Sequence, residues 1–450
     1  MQVSARSSGR LGKVAAAVVL SVASVTAFIR PALAADPVVF SFATVGDSRQ
    51  DPANPDPTTR LGGINGTLLT QDSIWLQNTK AWARIERTIQ SEKPNLLFFN
   101  GDMIYGYGRA AVPSSWATTA PTTLAQVASS DIVQHLTQYA YWRGMVANLM
   151  EMGTYVVPVP GNHETQCSSG VAGNGLISPL NPAGCASGKF AYVENEQAYV
   201  ANMGDLVQDL MSNTRFSAVS GVTATNVTGL TQATSAQPGG NNGPITTDQS
   251  DLTFSFDVST GGVMMHFAII NTDPSGADGT APTDWLDADM NAAKIRGATK
   301  FFVFGHKPAY TYNYSAASNK TIAAAGLDAT STALRDAFWA VIAKYNASYF
   351  CGHEHTVNVA QYPDPAHVSP ATPYQVIVGS GGSPFDDKMT CSGATGSMVC
   401  TEPTLTAPTD RYYAWALVSV HQSGAVSLQT YGFNDAFGVT QLLTNIASIQ

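Results

Sequence analysis

Charge is the scarcest property of this sequence. Lys, Arg, Asp and Glu make up 12 % of its 450 residues, against about 25 % in an ordinary soluble domain. Basic residues are the scarcer sign, 23 against 32 acids, for a net charge of −9. A chain this acidic repels phosphate backbones, so no nucleic-acid-binding surface is expected. Disorder is excluded too, because 44 % of the residues are apolar and disordered chains combine low hydrophobicity with high net charge. Long apolar runs are missing except for Val14 to Ile29. That run follows Arg6, Arg10 and Lys13 and precedes Ala32-Leu33-Ala34, the layout of a secretory signal peptide with an A-x-A cleavage site. It falls short of the ~20 residues that span a bilayer, so residues 1–34 read as a leader rather than an anchor. The protein is then expected to be secreted or periplasmic, with no stable membrane anchor after cleavage. Cleavage removes Arg6, Arg10, Lys13 and Arg30 but no acid, leaving the mature chain still more acidic.

Cysteine is sparse, and its placement agrees with export. Cys167 and Cys185 flank one Gly/Ser/Pro/Asn-rich loop and Cys391 and Cys400 flank another, so each pair is expected to staple its loop in an oxidising compartment. Cys351 is the odd one, inside an apolar run, and reads as a buried core thiol. Several catalytic signatures are absent. There is no G-x-S-x-G elbow, no P-loop and no G-x-G-x-x-G after a strand. Serine-hydrolase, nucleotide-driven and dinucleotide chemistries therefore have no motif here.

What is present is an alternation of strand and helix patterns. Strands are expected at Val38–Val45, Leu96–Phe99, Tyr155–Val159, Phe301–Phe304, Ser348–Cys351, Tyr374–Val378, Tyr413–Val420 and Ala425–Tyr431. Leu252–Val258 and Val263–Ile270 read as a pair turning at Gly261-Gly262. Helices are expected at Ile74–Gln90, Ile132–Met150, Asp284–Ile295 and Ala333–Tyr345. This order argues for an α/β fold with mixed sheets. Ser217 to Gln249 is rich in Gly, Ser, Thr and Asn and reads as a long loop. With no repeat and no sharp break in composition, residues 35–450 read as one catalytic domain with long loop insertions.

Five polar clusters follow apolar strand-like runs: Gly46-Asp47, Gly101-Asp102-Met103-Ile104-Tyr105, Gly161-Asn162-His163-Glu164, Gly305-His306 and Gly352-His353-Glu354-His355. Ligands of open α/β sheets bind beyond the carboxyl ends of strands. Glycine before the polar residue permits a sharp turn there. Any one cluster is ordinary, but five at strand ends suggest a common rim. Carboxylate, phenol, amide and imidazole donors together suit Zn, Mn or Fe better than Ca or Mg. Tyr105 to Gly108, Trp116 and Tyr310 to Tyr314 are candidate substrate walls.

In this order, GDxxY at Gly101, GNH(D/E) at Gly161, VxxH at Val303 and GHxH at Gly352 resemble the calcineurin-like metallophosphoesterases, and among them the purple acid phosphatases most. The resemblance implies a four-layer α/β/β/α sandwich of two mixed sheets carrying a dinuclear metal centre. By position, Asp47, Asp102, Tyr105 and His355 would hold the first metal, and Asp102, Asn162, His306 and His353 the second. A tyrosinate at the first site would favour Fe(III), partnered by Zn, Mn or Fe(II). The implied activity is phosphomonoester hydrolysis on a small phosphate ester, with a metal-bound hydroxide attacking phosphorus in line. A phosphodiesterase acting on phospholipids or nucleotides is the alternative on the same scaffold. His163 would contact the phosphate and act as general acid, while Glu164 and Glu354 would orient neighbouring imidazoles. One position departs from the family, which has Gly or His where this chain has Arg49. Three readings of Arg49 stand: it clamps a substrate phosphate, it turns away into a salt bridge, or it weakens the first metal site by repulsion.

Overall fold

A computed structural model describes residues 36–50, 77–128, 130–168, 185, 188–231, 245, 247–312, 326–385, 399–400, 412–434 and 436–450. The leader at 1–34 and Cys391 lie outside them. The first sheet has six strands, β1 (Val38–Val45), β2 (Leu96–Asn100), β3 (Tyr155–Val159), β14 (Tyr412–His421), β15 (Val426–Asn434) and β16 (Gln441–Ile446), in the order β16-β15-β14-β1-β2-β3. The second has eight: β6 (Ala224–Gly229), β7 (Phe254–Thr260), β8 (Val263–Ile269), β9 (Lys300–Phe304), β10 (Ser348–Cys351), β11 (Val357–Gln361), β12 (Tyr374–Val378) and β13 (Val399–Cys400). Their order is β13-β11-β12-β10-β9-β8-β7-β6. Both sheets are mixed. β1, β2 and β3 run parallel, as do β8, β9, β10 and β12, and the outer strands are antiparallel. A two-stranded ribbon, β4 (Gln166–Cys167) with β5 (Phe190–Ala191), stands apart.

Alternation along the strands explains how the sheets pack, since successive side chains point to opposite faces. Phe42 of the first sheet packs against Phe302, Phe304 and Phe350 of the second at 5.1 to 5.6 Å. Phe98 stacks on Phe304 at 3.7 Å. The intervening residues Phe301, Val303, Tyr349 and Cys351 face the other way. They join Leu286 and Met290 of helix Thr283–Arg296 and Phe338, Trp339 and Ile342 of helix Thr332–Lys344 in a second apolar cluster. Helices Thr79–Glu92 and Asp131–Glu151 meet the first sheet through Trp82 and Trp142, both against Phe99. The expected α/β class with two mixed sheets is the one observed.

The expected strands and helices are present within a few residues, with instructive differences. The first helix begins at Thr79 because Asn78 caps it, its side chain accepting from the Ala81 N–H at 3.1 Å. Ile74 lies outside the described residues. The supposed loop from Ser217 holds the end of a short helix, Thr214–Ser220, and strand β6. Helix Val193–Ser212 and strands β11 and β16 had no counterpart in the sequence reading. The Cys167–Cys185 disulfide is formed, and Cys351 is buried and free. Among the described residues no helix is long and apolar enough to cross a membrane.

Candidate metal and phosphate site

All five polar clusters begin where a strand ends. Because β1, β2 and β3 are parallel neighbours, Asp47, Asp102 and Asn162 lie along one rim. β9 and β10 are parallel neighbours in the facing sheet and bring His306 and His353 to the same place. The turns are tight. Asp47, Asp102 and His353 have φ of 61°, 54° and 67°, left-handed conformations that non-glycine residues seldom adopt and that concentrate at functional sites. A Cβ on Gly161 would lie 2.5 Å from the Asp102 nitrogen, and one on Gly352 2.3 Å from Asp47 Oδ2. Only glycine leaves room for the Asp102 backbone and the Asp47 carboxylate to approach so closely.

Imidazole orientation follows from the backbone. His306 Nδ1 lies 2.7 Å from the Asn100 carbonyl. A carbonyl only accepts, so Nδ1 carries the proton and Nε2 presents its lone pair. That Nε2 is 3.1 Å from Asp102 Oδ1 and 2.9 Å from Asn162 Oδ1. His353 Nδ1 is 2.8 Å from the same Asn162 oxygen and 3.2 Å from His306 Nε2. His355 Nδ1 likewise donates to the Pro384 carbonyl at 2.6 Å, turning Nε2 toward Asp47 Oδ1 at 3.6 Å. Asp47, Asp102 and His355 each offer a ligand atom, all within 4.8 Å of one another.

This arrangement fits cations. Asp47 Oδ1 is buried with no hydrogen-bond partner, a costly state for a carboxylate oxygen. Burial and the neighbouring Asp102 charge push the Asp47 carboxyl well above its usual range. Burial opposes ionisation of Asp102 as well, but His163, His306 and Arg49 hold it well below the ordinary value. Lone pairs from Asp102, Asn162 and His306 converge on a second point. A positive ion at each point would relieve the crowding of acceptors.

Other residues fall around this pair. Tyr105 is buried beside His163, with ring centroids 5.7 Å apart. His163 Nδ1 hydrogen-bonds the Tyr105 carbonyl, and its Nε2 lies 3.7 Å from Asp102 Oδ2. Burial, then the Arg49 cation, depresses its pKa against the pull of Asp102. Arg49 points inward, with Nε 3.3 Å from Asp102 Oδ2 and Nη2 3.4 Å from His355 Nε2. The salt bridge is therefore made inside the site.

One role expected for a glutamate is corrected. Glu164 accepts the backbone N–H groups of Asp102, Ile104 and Gly161 at 2.8, 3.0 and 2.7 Å. The single helical turn Asn162–Thr165 folds its side chain back over the Gly101-Asp102 loop, so it fixes backbone rather than an imidazole. Burial and the Asp102 charge push its carboxyl up to about 7. Glu354 accepts from the Tyr312 N–H at 2.9 Å and so ties down the segment after β9.

The aromatic candidates divide. Tyr310 stacks on Tyr362 at 4.0 Å as packing, Trp116 is half-buried, and residues 313–314 lie outside the described ones. Tyr107 does more than line a wall. Its hydroxyl accepts from Asn162 Nδ2 at 2.6 Å, which fixes the amide so that Oδ1 faces His306 and His353. The Tyr-x-Tyr spacing was its only signal in the sequence.

The family model described as calcineurin-like phosphoesterase matches residues 75–357. This span holds Asp102, Tyr105, Asn162, His163, His306, His353 and His355, while Asp47 and Arg49 precede it. No curated protein matches the chain. Among solved structures, a purple acid phosphatase from yellow lupin (Lupinus luteus) seeds is similar at 11 % identity and a TM-score of 0.46, covering 91 % of this chain and 54 % of that one. The chain thus spans about half the length of that protein. A dimetal phosphatase from Danio rerio is similar at 10 % identity and a TM-score of 0.42, covering 91 % of this chain and 100 % of that one.

Proposed function

Because the chain belongs to the calcineurin-like phosphoesterases, we propose that it is an exported, metal-dependent phosphomonoesterase, with residues 35–450 as its catalytic domain and a small phosphate ester as substrate. The observation that carries this reading is the cluster of ligand atoms from Asp47, Asp102 and His355, with Asp47 Oδ1 left unpartnered, beside the close approach of His306 to Asp102 and Asn162. Asp47, Asp102 and His355, with Tyr105 beside them, would hold one ion, and Asp102, Asn162, His306 and His353 the other. Fe(III) with Zn, Mn or Fe(II) suits these donors. Such a pair supplies positive charge at the phosphoryl oxygens and activates water for in-line displacement.

The chain's own residues do the rest. Asp102, which borders both points, would contribute to each ion, and Tyr107 keeps the Asn162 oxygen aimed at the second. Arg49 offers a bidentate cation to the phosphate once Asp102 is engaged elsewhere. When the water oxygen bonds phosphorus and the P–O bond of the ester breaks, the departing alkoxide needs a proton. Its Nδ1 proton is committed to the Tyr105 carbonyl, so His163 takes a proton from the attacking water at Nε2 and returns it from Nε2 to the alkoxide. The fixed ring orientation is what a general acid requires.

Elemental analysis of the purified protein, combined with matched mono- and diester substrates, tests the reading. Bound metal with preferential monoester hydrolysis is expected, and metal-free protein without esterase activity would overturn it. His163→Ala should retain metal and lose ~10²–10⁴-fold in turnover. Loss of the metal instead would show His163 to be a ligand.

A further inference from the structure

Beyond the metal-facing residues, one more cation reaches this site from a separate part of the chain. Lys189 Nζ donates to the Tyr107 hydroxyl at 2.9 Å and sits 4.4 Å above the Tyr107 ring. The same hydroxyl accepts from Asn162, and the Tyr107 ring lies 3.9 Å from that of His163. The Lys189 ammonium is thus one side chain away from both the candidate general acid and a candidate metal ligand. The residue is otherwise exposed, while its charged end reaches the hydroxyl of buried Tyr107.

The local structure shows why it is there. Lys189 immediately precedes β5, and β5 pairs with β4, three residues beyond His163. The Cys167–Cys185 disulfide links β4 to the chain four residues before Lys189. Asp278 accepts the Ala191 N–H at 2.5 Å, the Thr165 carbonyl accepts from the Tyr192 N–H at 2.9 Å, and the Tyr107 carbonyl accepts from the Ser168 N–H at 3.2 Å. Lys189 is pinned on both sides by covalent and hydrogen bonds, although its own side chain is mobile by nature.

We propose that Lys189 is a substrate-binding residue that selects phosphate monoesters, its ammonium pairing with the second negative charge that a monoester carries and a diester lacks. The proposal rests on the phosphomonoesterase reading. A monoester dianion reaching the two metal points between Arg49 and His163 leaves one anionic oxygen toward solvent. Lys189, bonded to the hydroxyl that also orients Asn162, would turn its ammonium from Tyr107 to that oxygen. A diester has an uncharged ester oxygen or its substituent there, and the ammonium gains nothing from it. Discrimination then follows from charge, since only the monoester offers the ammonium a second anionic oxygen.

The test compares wild type with Lys189→Met and Lys189→Arg, each fully loaded with metal. Substrates are an aryl phosphate monoester and the matching diester, and inhibitors are inorganic phosphate and monoanionic dimethyl phosphate. In Lys189→Met the ratio of monoester to diester kcat/KM should fall ~10–100-fold, the worth of one charge-assisted hydrogen bond. Inhibition by inorganic phosphate should weaken by a similar factor, inhibition by dimethyl phosphate should hardly move, and Lys189→Arg should restore most of the ratio. If both substrates lose activity equally, Lys189 only positions Tyr107 and the proposal is overturned. An unchanged ratio overturns it as well. A wild type that hydrolyses neither ester refutes the phosphoesterase reading itself, so the two failures are distinct.

Discussion

Replacing Arg49 by Met should move two measurable quantities in opposite directions. The guanidinium and Asp102 form a buried pair, with side chains 9 % and 1 % exposed and Nε 3.3 Å from Oδ2. Removing one member of a buried pair costs about 3–5 kcal/mol when the other is stranded. Asp102 is not wholly stranded, because Oδ1 still receives the His163 N–H at 3.3 Å. The loss therefore belongs at the lower end, about 3 kcal/mol from the metal-depleted protein. The same removal frees Asp102 and His355 from a competing cation. A hydrogen bond to a charged group is worth ~1.5–3 kcal/mol, so metal at the Asp47, Asp102 and His355 point should bind ~10–100-fold more tightly. Thermal unfolding of chelator-treated protein measures the first effect and calorimetric metal titration the second. If the variant is as stable as wild type when metal-free and its affinities are the same, the guanidinium does not occupy this point. A rise in KM for monoesters in the loaded variant would separately support the phosphate-clamping role.

Tyr107→Phe deletes the acceptor that orients the Asn162 amide, and loss of such an outer contact typically costs 10–100-fold in metal affinity. Titration should show that loss at one of two ions, and equal weakening of both would refute the assignment of Asn162 to a single point. Asp278 gives a pH test, its carboxyl being pushed up to about 6 by burial and then by Asp273. An acid raised above its unfolded value, about 3.9, is protonated when folded while already ionised when unfolded. Its contribution to stability is therefore full below about pH 4 and falls as pH rises to about 6. Asp278→Asn keeps an oxygen for the Ala191 N–H without the buried charge. It should be more stable than wild type by about 1–3 kcal/mol at pH 7.5, with the gap closing toward pH 4 in urea unfolding. A gap independent of pH would show that the charge is not what matters.

Strand-end clusters were legible because glycine and a polar residue after an apolar run form a local signal. The parallel pairing that assembles them follows from the alternation of strands and helices. Helix Val193–Ser212 was legible only in part. Tyr199, Met203, Leu206, Val207 and Leu210 are buried at helical spacing, but the first turn buries Asn195 and Glu196, so there burial does not follow hydrophobicity. Asn195 bonds the backbone of Gly108, Ala110 and Gln166, and Glu196 accepts from Ser275, Thr247 and Gln249. Such partners are distant in sequence and leave no periodicity. β6 was hidden because it is an edge strand, Ala-Thr-Asn-Val-Thr-Gly, mostly turned to solvent. Glu164 was placed in the right cluster with the wrong partner, since which atoms a short turn brings within reach depends on three-dimensional register. Arg49 shows the limit most plainly: its position in the sequence was conspicuous, but only geometry chose the direction it points.

The left-handed backbone at Asp47, Asp102 and His353 also bears on how this protein would respond to selection. Each such residue carries on the order of 1–3 kcal/mol of conformational cost, while glycine occupies the same region freely. At Asp47 and His353 the substitutions that most relax the chain are thus ones that delete a side chain proposed to bind metal. A library screened for thermal resistance alone would drift toward an inert scaffold, because robustness and turnover pull those positions toward different residues.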